Sequence, residues 1–316
     1  MAKYTYGPVA SRRLGRSLGV DLVSPKTCNF NCRYCQLGPT DRPTMERADY
    51  APVDEVVEEV RARLAGGPRP DYITLGGSGE PTLHRSFGAV AARIRELADV
   101  PIALLTNGSL FYLPEVRDAC AAIDLVLPTL DAGNEETFRR INRPHPEMTL
   151  AKIVDGLEAL RREFKGQIWL EVFIVEGVNS SDEEALAIRR CIERIQPHRV
   201  QLNTAVRPPA EKDVRAASSQ TLERIQRILG EGTEIVAPTG GFSAIPGAAA
   251  RKEDVLAMLR RRPCTVDDIA NGLGIVRGEA ERCVRALLDE GAIFARQRLY
   301  ESYYETAPAG QAKTRE

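Results

Sequence analysis

The sequence predicts an α/β protein: a parallel-stranded core with crossover helices, followed by a small helical module. Three observations carry that reading. Apolar runs alternate with segments of helical period from residue 18 to residue 206, the order that βαβ units produce. The ends of these runs carry cysteine, glycine, asparagine and acidic residues, and strand ends in a parallel barrel are where ligand groups collect. Residues 237–250 then have the Gly, Pro and Ser composition of a linker, and a pattern of three helices and a hairpin follows.

Taken in order, residues 6–19 contain Arg12, Arg13 and Arg16. Planar guanidinium groups suit carboxylate and phosphate, so this stretch is either an anion clamp or a solvated arm. The first strand, residues 18–23, leads into Cys28-Asn29-Phe30-Asn31-Cys32-Arg33-Tyr34-Cys35. Three thiolates at this spacing can hold three irons of a four-iron, four-sulfur (4Fe–4S) cluster and leave the fourth iron open. Structural zinc needs four closed ligands, and neither a fourth Cys nor any His lies within thirty residues.

Val56, Val57, Val60 and Leu64 recur at helical spacing. The second strand, residues 72–75, ends in Gly76-Gly77-Ser78-Gly79-Glu80-Pro81-Thr82. Glycines let the backbone approach a ligand closely, and Glu80 can accept a hydrogen bond from an ammonium group. A helix carrying Phe87, Val90, Ile94 and Leu97 leads to the third strand, residues 102–105, which ends in Thr106-Asn107-Gly108. That tripeptide is also good turn chemistry. The fourth strand, residues 125–130, ends at Asp131, and a short charged helix spans 134–142.

Thr149 caps a helix whose face is Leu150, Ile153, Val154, Leu157 and Leu160. The fifth strand, residues 168–175, is interrupted by Glu171; a carboxylate inside a barrel must be paired or face solvent, which makes it a candidate pocket residue. Ser181 and Glu184 have capping-box spacing before Ala185, Ile188, Ile192 and Ile195. The sixth strand, residues 200–206, ends near Asn203 and Arg207. Arg207 is placed to anchor a phosphate or carboxylate, or to form a salt bridge at the rim.

These residues resemble the radical S-adenosylmethionine (SAM) superfamily over about residues 1–240. The resemblance implies a partial (β/α)6 TIM-like barrel of radical SAM type, with a 4Fe–4S cluster on Cys28, Cys32 and Cys35. It implies that SAM chelates the open iron and is cleaved reductively to a 5′-deoxyadenosyl radical that abstracts hydrogen from the substrate. Tyr34 would face the adenine, and Gly77, Ser78, Gly79 and Glu80 would hold the methionine amino group. Thr106, Asn107 and Asp131 would line the ribose and sulfonium side, with Asn203 and Arg207 completing the site. An electron donor such as flavodoxin or ferredoxin is implied.

The opening segment, with Lys26-Thr27-Cys28 and Tyr34-Cys35-Gln36-Leu37-Gly38, resembles the wybutosine-type tRNA-modifying branch. Archaeal enzymes of that type carry further cysteines ahead of the triplet; this chain has none before Cys28. Glycyl-radical activases tend to have Asp before the Thr-Asn-Gly and Lys two residues past the strand-four Asp, where this chain has Leu105 and Gly133.

The expected organisation is a radical SAM core over 1–236, a linker over 237–250, a winged helix-like domain over 251–306 and a tail over 307–316. In the third of these, Thr265 caps a helix, a third helix covers 279–289, and 292–305 alternates as a hairpin. Arg277, Arg282, Arg285, Arg296 and Arg298 are its clustered cations, interspersed with Glu279, Glu281, Asp289 and Glu290. The module would therefore serve RNA or DNA, a protein or peptide, or packing alone, with RNA leading.

A formal charge of −1 does not indicate a globally basic nucleic-acid binder. No apolar run approaches bilayer-spanning length and the N-terminus has no signal core, so a soluble, cytoplasmic enzyme without membrane contact is expected. Of seven cysteines, Cys120, Cys191, Cys264 and Cys283 lie outside the triplet and read as small buried hydrophobes. The function expected is hydrogen abstraction from a macromolecule, tRNA or other RNA first. A protein or peptide substrate, including glycyl-radical activation, and a redox-sensing regulator are the alternatives.

Overall fold

β1 (Thr5–Ser11) and β2 (Gly15–Val20) form an antiparallel hairpin, and from β2 onward each strand adds in parallel to its predecessor. The computed structural model describes residues 3–66, 69–206, 208–236, 251–261, 263–298 and 301–307. Helix α1 (Val53–Gly66) leads to β3 (Tyr72–Leu75), α2 (Phe87–Leu97) to β4 (Ile102–Thr106), and α3 (Pro114–Asp118) to β5 (Leu125–Pro128). Helices α4 (Glu135–Asn142) and α5 (Leu150–Glu163) precede β6 (Gln167–Ile174), α6 (Asp182–Ile195) precedes β7 (Arg199–Thr204), and α7 (Ser219–Leu229) precedes β8 (Thr233–Ile235). The sheet runs from β1 to β8 in sequence order. Its two edge strands are not paired with each other among the described residues, so the barrel stays open.

Both faces of the strands are apolar, as parallel strands between layers require. Leu104 and Val126 point outward, where Val90 and Ile94 of α2 and Leu157 of α5 close over them. Ala103, Leu125 and Leu127 point inward and meet Leu14, Tyr72 and Trp169. Each such side chain buried on the helix side stabilises the fold by about 1.5–3 kcal/mol. The helices start where side chains satisfy their free amides: Asn134 accepts from the Thr137 amide, Thr149 from that of Lys152, and Ser181 from that of Glu184. The expected box at Ser181 is only half formed. The Glu184 carboxylate accepts instead from Asn134 Nδ2 and Thr137 Oγ1, tying α6 to the start of α4.

The six expected strands are present, and two more flank them. β1 falls in the stretch read as an anion clamp or solvated arm. Its partners are β2 on one edge and, across its face, a module made of α8 (Lys252–Leu259), α9 (Val266–Leu273), α10 (Arg277–Asp289) and the hairpin β9 (Ile293–Arg298) with β10 (Glu301–Thr306). Val9 joins the module core of Val255, Met258, Ile269, Val284 and Leu287, and Tyr6 packs against it. At the other edge, β8 is too short to show a period. α7 has Leu222, Ile225 and Leu229 buried at helical spacing behind a Ser218 cap, a signal that was present in the sequence.

Thr265 and Asp268 form a complete capping box on α9. Cys120 and Cys264 are buried, Cys191 and Cys283 partly so. The expected linker at 237–250 and all but the first residue of the expected tail lie outside the described residues. No helix among the described residues is long and apolar enough to cross a membrane.

A methyl group on Gly133 would stand 2.0 Å from the Ala187 carbonyl carbon of α6. Because the obstacle is helix backbone, it cannot rotate away. Gly133→Ala is expected to cost about 1–3 kcal/mol through overpacking, read as a lowered unfolding midpoint in urea with an unchanged slope.

Candidate active site

The cavity at the ends of the parallel strands has a volume of about 330 Å³. Cys28, Cys32 and Cys35 come to it from the loop after β2, Gly77, Ser78, Gly79 and Glu80 from the end of β3, Thr106 and Asn107 from β4, Glu171 and Phe173 from β6, and Asn203 from β7. Tyr34 lies on the same wall. The segments read as separate motifs therefore meet in one place.

The cysteine loop is pinned from both sides. Amides of Asn31 and Arg33 donate to the carbonyls of Asn142 (3.0 Å) and Ile141 (3.0 Å) at the end of α4. On the other side, the Lys26 amide donates to the Ser78 carbonyl (2.7 Å) and the Glu80 amide to the Thr27 carbonyl (2.9 Å). A Cβ on Gly79 would lie 2.0 Å from the Thr27 oxygen, and one on Gly77 would lie 2.8 Å from the Asp21 carboxyl carbon. The close approach that glycine allows here is first of all to the chain itself.

Glu80 is 2% exposed and accepts from four donors. Its Oε1 accepts from the Thr82 amide (3.0 Å), Thr82 Oγ1 (2.6 Å) and Thr106 Oγ1 (2.7 Å), and its Oε2 from the Asn107 amide (2.7 Å). Burial raises its pKa, while Thr82, Asn107 and Thr106 act in the opposite direction. The side chain expected to bind a ligand ammonium is thus also the tie between the ends of β3 and β4. Oε2, with one donor, is the oxygen with acceptor capacity left.

Asp131 takes a different position from the one expected. It is 2% exposed and lies behind Tyr34 rather than on the cavity wall. It accepts from Tyr34 Oη (2.5 Å), Asn142 Nδ2 (2.8 Å) and the Phe173 amide (2.9 Å). Burial pushes its pKa up to about 7, against the pull of these donors. The Tyr34 ring stacks on Phe173 with centroids 4.0 Å apart. Asp131 therefore fixes the tyrosine that faces the cavity. Arg207 lies outside the described residues.

Glu171 is both paired and cavity-facing: it forms an ion pair with Arg13, and Asn203 Nδ2 approaches its Oε2 at 3.4 Å. Arg12 and Arg13 both line the cavity. Lys26 was not singled out from the sequence as a site residue. It stands at φ 63°, an uncommon conformation for a non-glycine residue, and its Nζ donates to Cys35 Sγ (3.2 Å) and the Gly38 carbonyl (2.6 Å).

The donor set fits an iron–sulfur cluster. Burial raises the pKa of Cys28 to about 12 and that of Cys32 well above its usual value; Glu80 adds to the first and Cys28 to the second. Ionising such crowded thiols requires a strong local cation, which metal coordination supplies. Asn142 Nδ2 at 3.5 Å from Cys32 Sγ and Asn107 Nδ2 at 3.8 Å from Cys28 Sγ offer further donors to sulfur. No three His, Cys, Asp or Glu groups among the described residues close around a single ion, whereas a cluster spreads its thiolate ligands over several irons.

An open parallel barrel with a three-cysteine centre and a buried-carboxylate glycine turn defines an iron–sulfur enzyme class. Residues 22–188 match the Radical SAM superfamily, and the chain belongs to it. Enzymes of this superfamily use a 4Fe–4S cluster and SAM. The chain is 37% identical over 294 residues to a Brachyspira hyodysenteriae protein named GTPase Obg, covering 92% of this chain and 43% of that one. It is 34% identical over 228 residues to UPF0026 protein MJ1312 of Methanocaldococcus jannaschii, covering 72% and 71%. The chain thus spans less than half of the first relative. The crystal structure of a radical SAM methyltransferase from Sphaerobacter thermophilus superposes with a TM-score of 0.53 at 19% identity, covering 69% of this chain and 65% of that one; this likeness is one of fold.

Anaerobic reconstitution is expected to load about four irons per chain. Cys28→Ala, Cys32→Ala or Cys35→Ala should each abolish the charge-transfer absorption, whereas stoichiometric zinc would refute the assignment. Glu80→Ala should retain the iron yet bind SAM roughly tenfold more weakly or worse, the effect of one missing charge-assisted hydrogen bond. It should also lower the melting temperature, because Thr82, Thr106 and the Asn107 amide lose their acceptor. Titration of SAM into the loaded variant checks the first effect and calorimetry the second.

Proposed function

We propose that this protein cleaves SAM reductively and uses the resulting 5′-deoxyadenosyl radical to abstract hydrogen from a macromolecular substrate, tRNA or another RNA first. The observation that carries the proposal is the convergence of Cys28, Cys32, Cys35, Tyr34 and Gly77–Glu80 on one cavity. When bound, the cluster supplies the electron that splits the sulfonium, delivered by a donor such as flavodoxin or ferredoxin.

The residues themselves bind and orient. Glu80 Oε2 and the carbonyls of the glycine turn take the SAM amino group. Tyr34, stacked on Phe173 and held by Asp131, offers its backbone to the adenine. Thr106, Asn107 and Asn203 line the remaining wall, and Arg207 is assigned to a carboxylate or phosphate.

Two features support an anionic macromolecule of the kind handled by the wybutosine-type branch. The open barrel leaves its strand ends accessible, and Arg12, Arg13 and Lys26 lie on the cavity wall. The C-terminal helices and hairpin have the order of a winged helix, which would recruit RNA through α10 and the hairpin. Arg277, Arg282 and Arg296 are paired with Asp267 and Glu281, with Glu279, and with Glu305. Exposed pairs of this kind contribute only about 0–1 kcal/mol, so a phosphate can replace the carboxylate. Glycyl-radical activation is disfavoured by Gly133, where the backbone of α6 leaves no room for the lysine expected of such an activase.

The triple replacement Arg282→Ala, Arg285→Ala and Arg296→Ala should weaken RNA binding and flatten its salt dependence, by about 0.7–0.9 in slope for each phosphate that is no longer neutralised. SAM cleavage without substrate should persist. RNA binding equal to wild type at every salt concentration would turn the proposal to a protein or peptide substrate, which transfer of deuterium from labelled cell protein into deoxyadenosine would identify.

A further inference from the structure

Arg261 follows the last turn of α8, yet its side chain is buried in the barrel. It is 9% exposed, and its Nε lies 3.2 Å from Oδ2 of Asp21, itself 5% exposed. Its other nitrogens donate to the carbonyls of Ala257 (3.0 Å) and Lys3 (3.2 Å), and its guanidinium lies 4.7 Å from the Tyr6 ring centre. Both neighbours then reach the glycine turn. Asp21 accepts from the Ser78 amide (3.0 Å) and from Ser78 Oγ, while Tyr6 Oη donates to the Gly76 carbonyl (2.8 Å). The Tyr6 ring can lie there because residue 19 is glycine: a Cβ would stand 2.1 Å from Cζ. One guanidinium of the C-terminal module therefore braces both groups that hold residues 76–78.

We infer that Arg261 is a positioning residue for SAM: by orienting Asp21 and Tyr6, it sets the backbone of the glycine turn that takes the SAM amino group. This rests on the assignment of that turn to SAM made above. The consequence is thermodynamic coupling. Whatever displaces Arg261 from Asp21 and Tyr6 changes SAM affinity, and SAM favours the arrangement in which Arg261 is seated there by the same factor. A planar fork serves here where an ammonium would not, because three directions must be satisfied at once while the face stacks on a ring.

The test compares SAM affinity of the cluster-loaded full chain, read from the change that SAM causes in the spectrum of the reduced cluster, with iron content and melting temperature measured in parallel. Arg261→Met should load iron normally and bind SAM about tenfold more weakly, a coupling of the usual size between two sites. A cavity of about 530 Å³ bordered by Tyr4, Ser24, Tyr50 and Asp21 lets water reach the carboxylate left behind. Asp254→Ala removes a different tie between barrel and module, the 3.1 Å pair with Arg63, while Arg63 keeps its hydrogen bond to the Gly7 carbonyl beside Tyr6, and should change SAM affinity less than about twofold at a similar loss of melting temperature. In an Asp21→Asn background, Arg261→Met should add little.

Unchanged SAM affinity in Arg261→Met, or an equal loss in Asp254→Ala, overturns the inference. Should the Met variant not fold, Arg261→Lys decides: it keeps the charge but not the fork, and a loss of about threefold or more supports the role, whereas wild-type affinity refutes it. Glu80→Ala separates the two levels. If it too binds SAM normally, the turn's assignment to SAM fails and the positioning role with it; if it binds weakly while the Arg261 variants do not, the positioning role alone falls.

Discussion

The seam between the cysteine loop and the glycine turn is the constraint on which the site depends. Two backbone hydrogen bonds, from Lys26 to Ser78 and from Glu80 to Thr27, hold the segments together. They form because Gly79 has no side chain where the Thr27 oxygen sits. The seam joins β2 to β3, so a ligand group spanning the cysteines and the turn meets both in a fixed relation. Glycine is usually discussed as a means of bringing backbone to a ligand. Here it brings backbone to backbone, and the ligand surface is the outcome.

Under this seam lie three buried carboxylates, each converted into a tie by its donors. Glu80 joins the ends of β3 and β4, Asp131 holds Tyr34 against Phe173, and Asp21 carries Ser78. Buried charge is costly unless paired or hydrogen-bonded. In these cases the partners lie on segments distant in the chain, so the carboxylate's demand for donors fixes relations between strand ends, loops and helices that apolar packing alone would leave loose.

The C-terminal module belongs to this architecture through β1. That strand has β2 on one edge and the module on its face, with Val9 in the module's apolar core. Arg277, Arg282 and Arg296 engage acids of the same module, whereas Arg261 turns into the barrel. Two faces of one small domain thus differ in their electrostatics: one carries exposed ion pairs within the module, the other a buried pair committed to the core.

By itself the sequence determined what depends on local pattern. The cysteine spacing, the glycine turn with Glu80, six strands and the caps at Thr149 and Thr265 are all readable because period and spacing act within a few residues. Tertiary structure decided what depends on partners distant in the chain. β1, with Gly7 and Pro8 inside it, becomes a strand only between β2 and the module. Asp131 turns behind Tyr34 because Asn142 and the Phe173 amide await it there, and Glu171 tolerates its position because Arg13 arrives 158 residues away. Arg261 and Asp21 are 240 residues apart, and neither carries a periodicity that announces the other. A buried charge reveals its need for a partner in the sequence, but the identity of that partner is set by which segments the fold brings together.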